Sequence, residues 1–341
     1  MNNEELNKVA CAMVAPGRGI LAMDESHPTC NKRFEKLGIP TTETMRQEYR
    51  DMLVTADGLS DYVSGAILFD ETIRQKTLDG TPFADHLANK GIIPGIKVDA
   101  GAKPLAGHEE EKVTHGLDGL QERCTEYFEL GARFSKWRAV ITIGKGISSW
   151  ACIEANAHAL ARYARISQEA GLVPIVEPEV LMDGDHSIER CYEVTELTQR
   201  VVFYQLKNQG VALEGMILKP SMVISGASAK SRADVETVAE QTVRCLLNTV
   251  PAAVPGIAFL SGGQTDQEAS QHLNAINLSG LSRPWALTFS YGRALQQTAM
   301  QVWNGDNANV QKAQQALLWR AKCNGSAALG KYTDAMESQA A

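Results

Sequence analysis

Eight short apolar runs, roughly forty residues apart, constrain this chain more than any other feature of its sequence. They cover 19–24, 64–70, 92–99, 133–141, 172–180, 213–220, 256–263 and 285–292, most bounded by polar or Gly-rich residues. A short apolar run followed by a longer amphipathic segment is the pattern of a βα unit, and a series of such units builds a parallel sheet. The intervening segments carry helical periodicity. Residues 151–171 place Ile153, Ala157, Leu160 and Ile166 near one face and reach Gly171 as a C-cap. Residues 231–250 have Ser231 and Asp234 near their start and an apolar stripe through Val235, Val238, Val243 and Leu246.

No linker-like stretch divides the chain, and 341 residues can form one large βα barrel. The predicted fold is therefore α/β, a (β/α)8 TIM barrel forming a single domain over 1–341. An N-terminal extension and a C-terminal helix over roughly 308–325 lie outside it, with a flexible tail over roughly 326–341. A doubly wound sheet is the structural alternative, but its usual GxGxxG opening is missing after the first run.

Composition narrows the function classes. A net charge of -7 without any basic stripe argues against a nucleic-acid partner. No segment reaches the roughly 18 consecutive apolar residues of a membrane span, so no membrane association is expected. The first residues carry acids and lack both a signal-peptide core and the character of a transit peptide. Seven cysteines without a CxxC read as reduced thiols, so the expected location is cytoplasmic.

Nearly every run ends in a charged or reactive residue: Asp24, Asp70, Lys97 and Asp99, Lys136 and Arg138, Glu177 and Glu179, Lys219, Ser261, Arg293. In a barrel these ends surround one mouth, where active sites sit. Strand alternation puts Glu177 and Glu179 on one side, Lys136 and Arg138 on one side, and Val176 with Val180 facing the helices. An amine nucleophile must be neutral, whereas a free lysine has a pKa of about 10.4. Desolvation and a neighbouring cation both lower that value. Lys219 has an apolar flank in "MILKP" and Lys136 as a candidate neighbour, with Glu177 able to shuttle protons. Spacing alone leaves Lys136 as a rival nucleophile.

Phosphate recognition has its own signal. In "FLSGGQTDQEAS" a run leads through Ser261, Gly262 and Gly263 to a helix start at Thr265 or Asp266. Glycines let backbone N–H groups approach an anion, and a helix N-terminus favours negative charge. The eighth unit repeats the device at Gly292 and Arg293 in "TFSYGRALQQ". The seven histidines form no HxxxH or HxH pair, so no metal site is expected, and no P-loop is present.

Taken in order, "GRGILAMDES", "GIKVDAG", "KWRAV", "PIVEPEVL", "LKPSMV", "FLSGGQ" and "WALTFSYGRALQ" resemble the class I fructose-bisphosphate aldolases, over about residues 5 to 333. "MDES…TCNKRFEKLGI" looks more like the plant and cyanobacterial branch than the animal one. The resemblance implies a (β/α)8 barrel, usually a homotetramer, that needs no cofactor or metal and cleaves fructose 1,6-bisphosphate reversibly in glycolysis, gluconeogenesis or the Calvin cycle. It implies that Lys219 forms the Schiff base, Glu177 transfers protons with Glu179 as acidic partner, and Lys136 is the second active-site lysine, with Arg138 beside it. Asp24 would contact the hydroxyl at the cleaved bond. Ser261, Gly262, Gly292 and Arg293 match the ketose 1-phosphate site; Ser26, Lys97 and Arg33 match the region of the second phosphate.

Three departures from the family pattern carry expectations. The family commonly ends in a tyrosine that assists enamine protonation, whereas this chain ends "KYTDAMESQAA" and Tyr332 matches an internal tyrosine. Slower enamine turnover or a substitute proton donor is expected. His27-Pro28 follows the Asp24 segment, and Ala100 stands where a lysine would add charge near the second phosphate. Sedoheptulose 1,7-bisphosphate is a possible second substrate, and an added scaffold or binding role is the alternative from outside catalysis.

Overall fold

The computed structural model describes residues 2–339 and closes eight parallel strands into a barrel. These are β1 Gly19–Ala22, β2 Val63–Leu68, β3 Ile93–Lys97, β4 Phe134–Ile141, β5 Val173–Val180, β6 Ile217–Leu218, β7 Gly256–Phe259 and β8 Ala286–Tyr291. Each pairs with its sequence neighbours, and β8 returns to β1 through Ile20 opposite Ser290 and Leu21 opposite Tyr291. That closing pair rules out the open, doubly wound sheet.

Helices α1 Asn3–Met13, α2 His27–Glu35, α3 Glu43–Val54, α4 Asp70–Arg74, α5 Phe83–Asn89 and α6 Leu120–Glu129 belong to the first half. The second half carries α7 Trp150–Glu169, α8 Ile188–Asn208, α9 Val235–Thr249, α10 Asp266–Leu278, α11 Arg293–Trp303 and α12 Val310–Ala328. The helical periodicities convert directly into buried faces. In α7, Ile153, Ala157 and Leu160 are buried, Ile166 is half-buried, and Gly171 takes a φ of +85° just past the end. In α9, Asp234 caps the N-terminus by accepting from Thr237 N, and Val238, Val243 and Leu246 are buried.

Alternation along the strands divides the core in two. Ile20, Ile67, Phe134, Val173, Ile175, Ile217 and Ala258 point into the barrel, where Leu6, Ala10 and Met13 of α1 join them. The N-terminal extension is thus a plug against the strands, and each fully buried side chain of leucine size contributes about 1.5–3 kcal/mol. Trp137, Val176, Val180 and Phe289 face outward under the helices. Phe134 fills the barrel interior so tightly that a Cβ on Gly95 would lie 2.2 Å from its ring.

Two expected boundaries move. Of the sixth run, only Ile217–Leu218 is strand, because Leu213–Gly215 winds into a 3-10 turn closed by Gly215 N donating to Ala212 O at 3.1 Å. The last helix continues to Ala328 because Gly325 lets it approach closely: a Cβ there would stand 2.6 Å from Gly17 O. Beyond it, Asp334–Gln339 forms another 3-10 segment. Glu337 carboxylate oxygens accept from Arg320 Nη1 at 2.6 and 2.7 Å, Tyr332 Oη donates to Glu337 at 2.7 Å, and Trp319 Nε1 donates to Met336 O at 3.1 Å. Residues 340 and 341 of the expected tail lie outside the described residues.

Candidate active site

The mouth is built from strand ends whose inward positions are charged. On β5 the inward series Val173, Ile175 continues as Glu177 and Glu179; on β4, Phe134 continues as Lys136 and Arg138. On β6 the inward Ile217 is followed two residues later by Lys219. Lys219 N extends the ladder by donating to Val176 O at 2.8 Å, and Pro220 holds the residue before it in extended backbone. The inward direction of the lysine is therefore fixed by its neighbours in sequence.

Four of the predicted residues meet in one cluster. Lys136 Nζ stands 2.9 Å from Asp24 Oδ2 and 3.1 Å from Glu177 Oε2, while Lys219 Nζ stands 3.3 Å from Glu177 Oε1. Lys219 and Glu177 are each only 3% exposed. Buried charges of this kind persist only when opposed, and here Glu177 bridges the two amines.

The two lysines are not equivalent. Burial pushes Lys136 down, but Asp24, Glu177 and Asp99 outweigh it and hold its pKa well above the ordinary lysine value. Burial also lowers Lys219; Glu177 pulls upward, Lys136 pushes down again, and the net shift is below the ordinary value. For Glu177 and Asp24, burial raises the pKa, yet the attraction of Lys136 and then Lys219 leaves both carboxyls below their usual range.

Around the cluster lie further predicted residues. Arg138 Nε donates to Glu179 Oε2. Lys97 Nζ is 2.7 Å from Asp99 Oδ1 and is close enough to help lower Asp24. Across the mouth, Ser261 leads into Gly262 and Gly263 with φ of +52° and +91°, and Thr265 caps α10 with Glu268 in a capping box. Gly292 is the N-cap of α11 and Arg293 its first residue. The Arg293 Nη2 atom lies 3.5 Å from where a Cβ on Gly263 would sit, which joins the two glycine turns into one cationic corner.

The second-phosphate candidates are more dispersed. Ser26 stands at the N-cap position of α2 without a side-chain cap hydrogen bond, and its Oγ lies 3.2 Å from Thr29 Oγ1. Arg33 turns to Glu25, which its Nη1 contacts, rather than being held for an anion. His27 and Pro28 open α2, with His27 Nε2 3.0 Å from Glu71 Oε2. Ala100 N donates to His115 O at 2.8 Å. Asp70, also at a strand end, points away from the barrel interior and bonds Arg74 Nε at 2.9 Å and Tyr127 Oη at 2.8 Å.

Other functional contacts escape a residue-by-residue reading. Asp99 Oδ2 accepts from Arg138 N at 3.3 Å, and Asp99 thereby ties β3 to β4 at the mouth. Gln264 and His272 pair behind the Ser261 turn at 2.5 Å. A histidine within the buried stripe Ala269, His272, Leu273, Ile276 of α10 is the signal for the second.

Comparisons with known proteins identify the family. The family model for fructose-bisphosphate aldolase class-I matches residues 5–341. A probable fructose-bisphosphate aldolase class 1 from Xanthomonas campestris pv. campestris is 62% identical over 333 residues, covering 97% of this chain and 99% of that protein. Chloroplastic fructose-bisphosphate aldolase 2 from Pisum sativum is 53% identical over 338 residues, covering 99% of this chain and 96% of that protein. Among solved structures, a fructose-bisphosphate aldolase from Plasmodium falciparum superimposes with a TM-score of 0.95 at 50% identity, covering 97% of this chain and 96% of that one. The chain belongs to the class I fructose-bisphosphate aldolases, the metal-independent lyases that work through a lysine Schiff base.

Proposed function

We propose that Lys219 is the amine that forms the Schiff base, with Glu177 carrying protons to and from it. The observation that carries this reading is the asymmetry of the two lysines. Lys136 is shared by Asp24 and Glu177, whereas Lys219 faces Glu177 alone and is shifted toward neutrality. The Glu177 carboxylate takes a proton from the Lys219 ammonium, and the neutral Nζ adds to C2 of fructose 1,6-bisphosphate and passes a second proton to the C2 oxygen. Glu177 returns its own proton to that hydroxyl as the carbinolamine loses water. A carboxylate takes the C4 hydroxyl proton, with Asp24 at that hydroxyl, and the C3–C4 electrons move into the iminium. Glyceraldehyde 3-phosphate leaves; protonation of the enamine at C3 and hydrolysis release dihydroxyacetone phosphate. Lys136 keeps Asp24 and Glu177 ionised, and Glu179 holds Arg138 at the rim.

Ser261, Gly262, Gly292 and Arg293 bind the 1-phosphate, and the N-terminus of α2 at Ser26, with Lys97, takes the second phosphate. Arg33 reaches that phosphate only after leaving Glu25. The similarity to chloroplastic relatives supports work in the Calvin cycle as well as in glycolysis and gluconeogenesis, with sedoheptulose 1,7-bisphosphate as second substrate. The bacterial relatives support a cytoplasmic setting. Leu197 and Tyr204, exposed seven residues apart on α8, supply an apolar strip suited to a homotetramer interface.

Cleavage of fructose 1,6-bisphosphate in the presence of EDTA tests the reading. Lys219→Met is expected to abolish product release while leaving the folded chain intact; retained turnover in Lys219→Met would refute it.

A further inference from the structure

Behind the 1-phosphate turn, two buried side chains form a relay that neither the aldol chemistry nor the phosphate contact itself requires. Ser261 O accepts from Gln264 N at 2.9 Å and again from Gln264 Nε2 at 3.0 Å. The other end of that amide, Gln264 Oε1, is 2.5 Å from His272 Nδ1, two turns along α10. Gln264 and His272 are both buried. With the Gln264 amide nitrogen committed to Ser261, its oxygen faces the ring, so His272 donates through Nδ1–H.

The consequence follows from peptide geometry. A trans peptide is planar, with its C=O and the next residue's N–H pointing in opposite directions. Holding Ser261 C=O back toward Gln264 therefore turns Gly262 N–H the other way, toward the anion position. The positive φ of Gly262 and Gly263 brings successive N–H groups round to the same concavity. Ring neutrality is consistent with this: burial first, then Arg232, lowers His272, against an upward pull from Glu268, to about 4.

We propose that His272, acting through Gln264, is a positioning residue for phosphate: it locks the Gln264 amide so that the Ser261–Gly262 peptide presents its N–H to the 1-phosphate. This rests on the reading of Ser261–Gly263 as the 1-phosphate turn. It also explains a histidine buried in one stripe with Ala269, Leu273 and Ile276. Without the donor, the amide loses the partner that fixes its orientation, and the turn is free to rotate its peptide.

The test titrates inorganic phosphate into [15N]glycine-labelled protein and follows the Gly262 and Gly263 amide resonances. His272→Leu removes the donor, and His272→Asn keeps one, because an Asn side-chain nitrogen occupies nearly the position of Nδ1. His272→Leu is expected to weaken phosphate binding about tenfold, the scale of one lost buried hydrogen bond. His272→Asn is expected to stay within about threefold of the parent. Steady-state kinetics of His272→Leu should show a raised KM with kcat little changed.

The proposal is overturned if His272→Leu titrates like the parent, if His272→Asn loses as much as His272→Leu, or if phosphate leaves both glycine amides unmoved in the parent protein. Borohydride trapping on Lys219 reports separately on the aldolase reading. A parent protein that binds phosphate at this turn but traps no ketose would refute the reading and leave the relay standing.

Discussion

Lys219 Nζ lies 3.3 Å from Glu177 Oε1, with both side chains closed off from solvent at the mouth of the barrel. One carboxylate thus serves two amines, and it serves them unequally because Lys136 has Asp24 as well. On the proposed reading, the shared carboxylate moves protons at the bond Lys219 makes, while the better-opposed Lys136 remains a fixed cation.

Replacing Glu177 by Gln tests its part. The amide cannot exchange protons, so kcat for fructose 1,6-bisphosphate cleavage is expected to fall by about 10²–10⁴-fold, the usual range for general acid–base catalysis. The substitution also removes the anion that pulls Lys219 upward. The amine becomes more neutral, so a loss of rate cannot be assigned to its protonation. Steady-state rates with a check of the folded state by circular dichroism decide the matter.

Lys136→Met tests the electrostatics. Lys136 pushes the Lys219 pKa down, in addition to burial. Without it, Glu177 and Asp24 act on Lys219 alone, its pKa rises, and the neutral fraction at pH 7 falls. Each unit of rise costs about tenfold in that fraction. The acid limb of the pH profile for imine trapping, followed over about pH 6 to 10, should therefore move to higher pH. An unchanged limb would show that burial alone tunes Lys219.

Some of this site is legible in the sequence because it depends on alternation. Once β4 and β5 are placed, Lys136, Arg138, Glu177 and Glu179 must face inward, and Pro220 after Lys219 fixes the sixth strand end. What alternation does not reach is the choice of partner. Arg33 pairs with Glu25, and Lys97 with Asp99, because packing at the α2 and β3 ends sets those distances. The short β6 and the continued α12 escape for a similar reason. Gly325 resembles a helix breaker in sequence but serves a close approach to Gly17 that only the fold defines.

Gly95→Ala tests the barrel interior. The added Cβ would lie 2.2 Å from the Phe134 ring, so the ring or β3 must shift. A loss of about 1–3 kcal/mol is expected, as for other overpacked cores, measured by urea unfolding. A neutral substitution would show that Phe134 has room to move.

The tail carries its own expectation. Tyr332 is buried with its hydroxyl on Glu337, and no later tyrosine follows in the sequence. Deleting residues 333–341 leaves Arg320 with Ser270 Oγ at 2.6 Å and Asp266 O at 3.2 Å. Exchange of the C3 proton of dihydroxyacetone phosphate with deuterated water should then change by less than about threefold, since no group acting only in the transition state is removed. A far larger loss would place a residue of the tail at the enamine.

The most direct measurement is borohydride reduction of the protein with dihydroxyacetone phosphate in EDTA, followed by peptide mapping of the adduct. A single stable adduct on Lys219, lost in Lys219→Met, is the predicted result. An adduct on Lys136, or none at all, would contradict it.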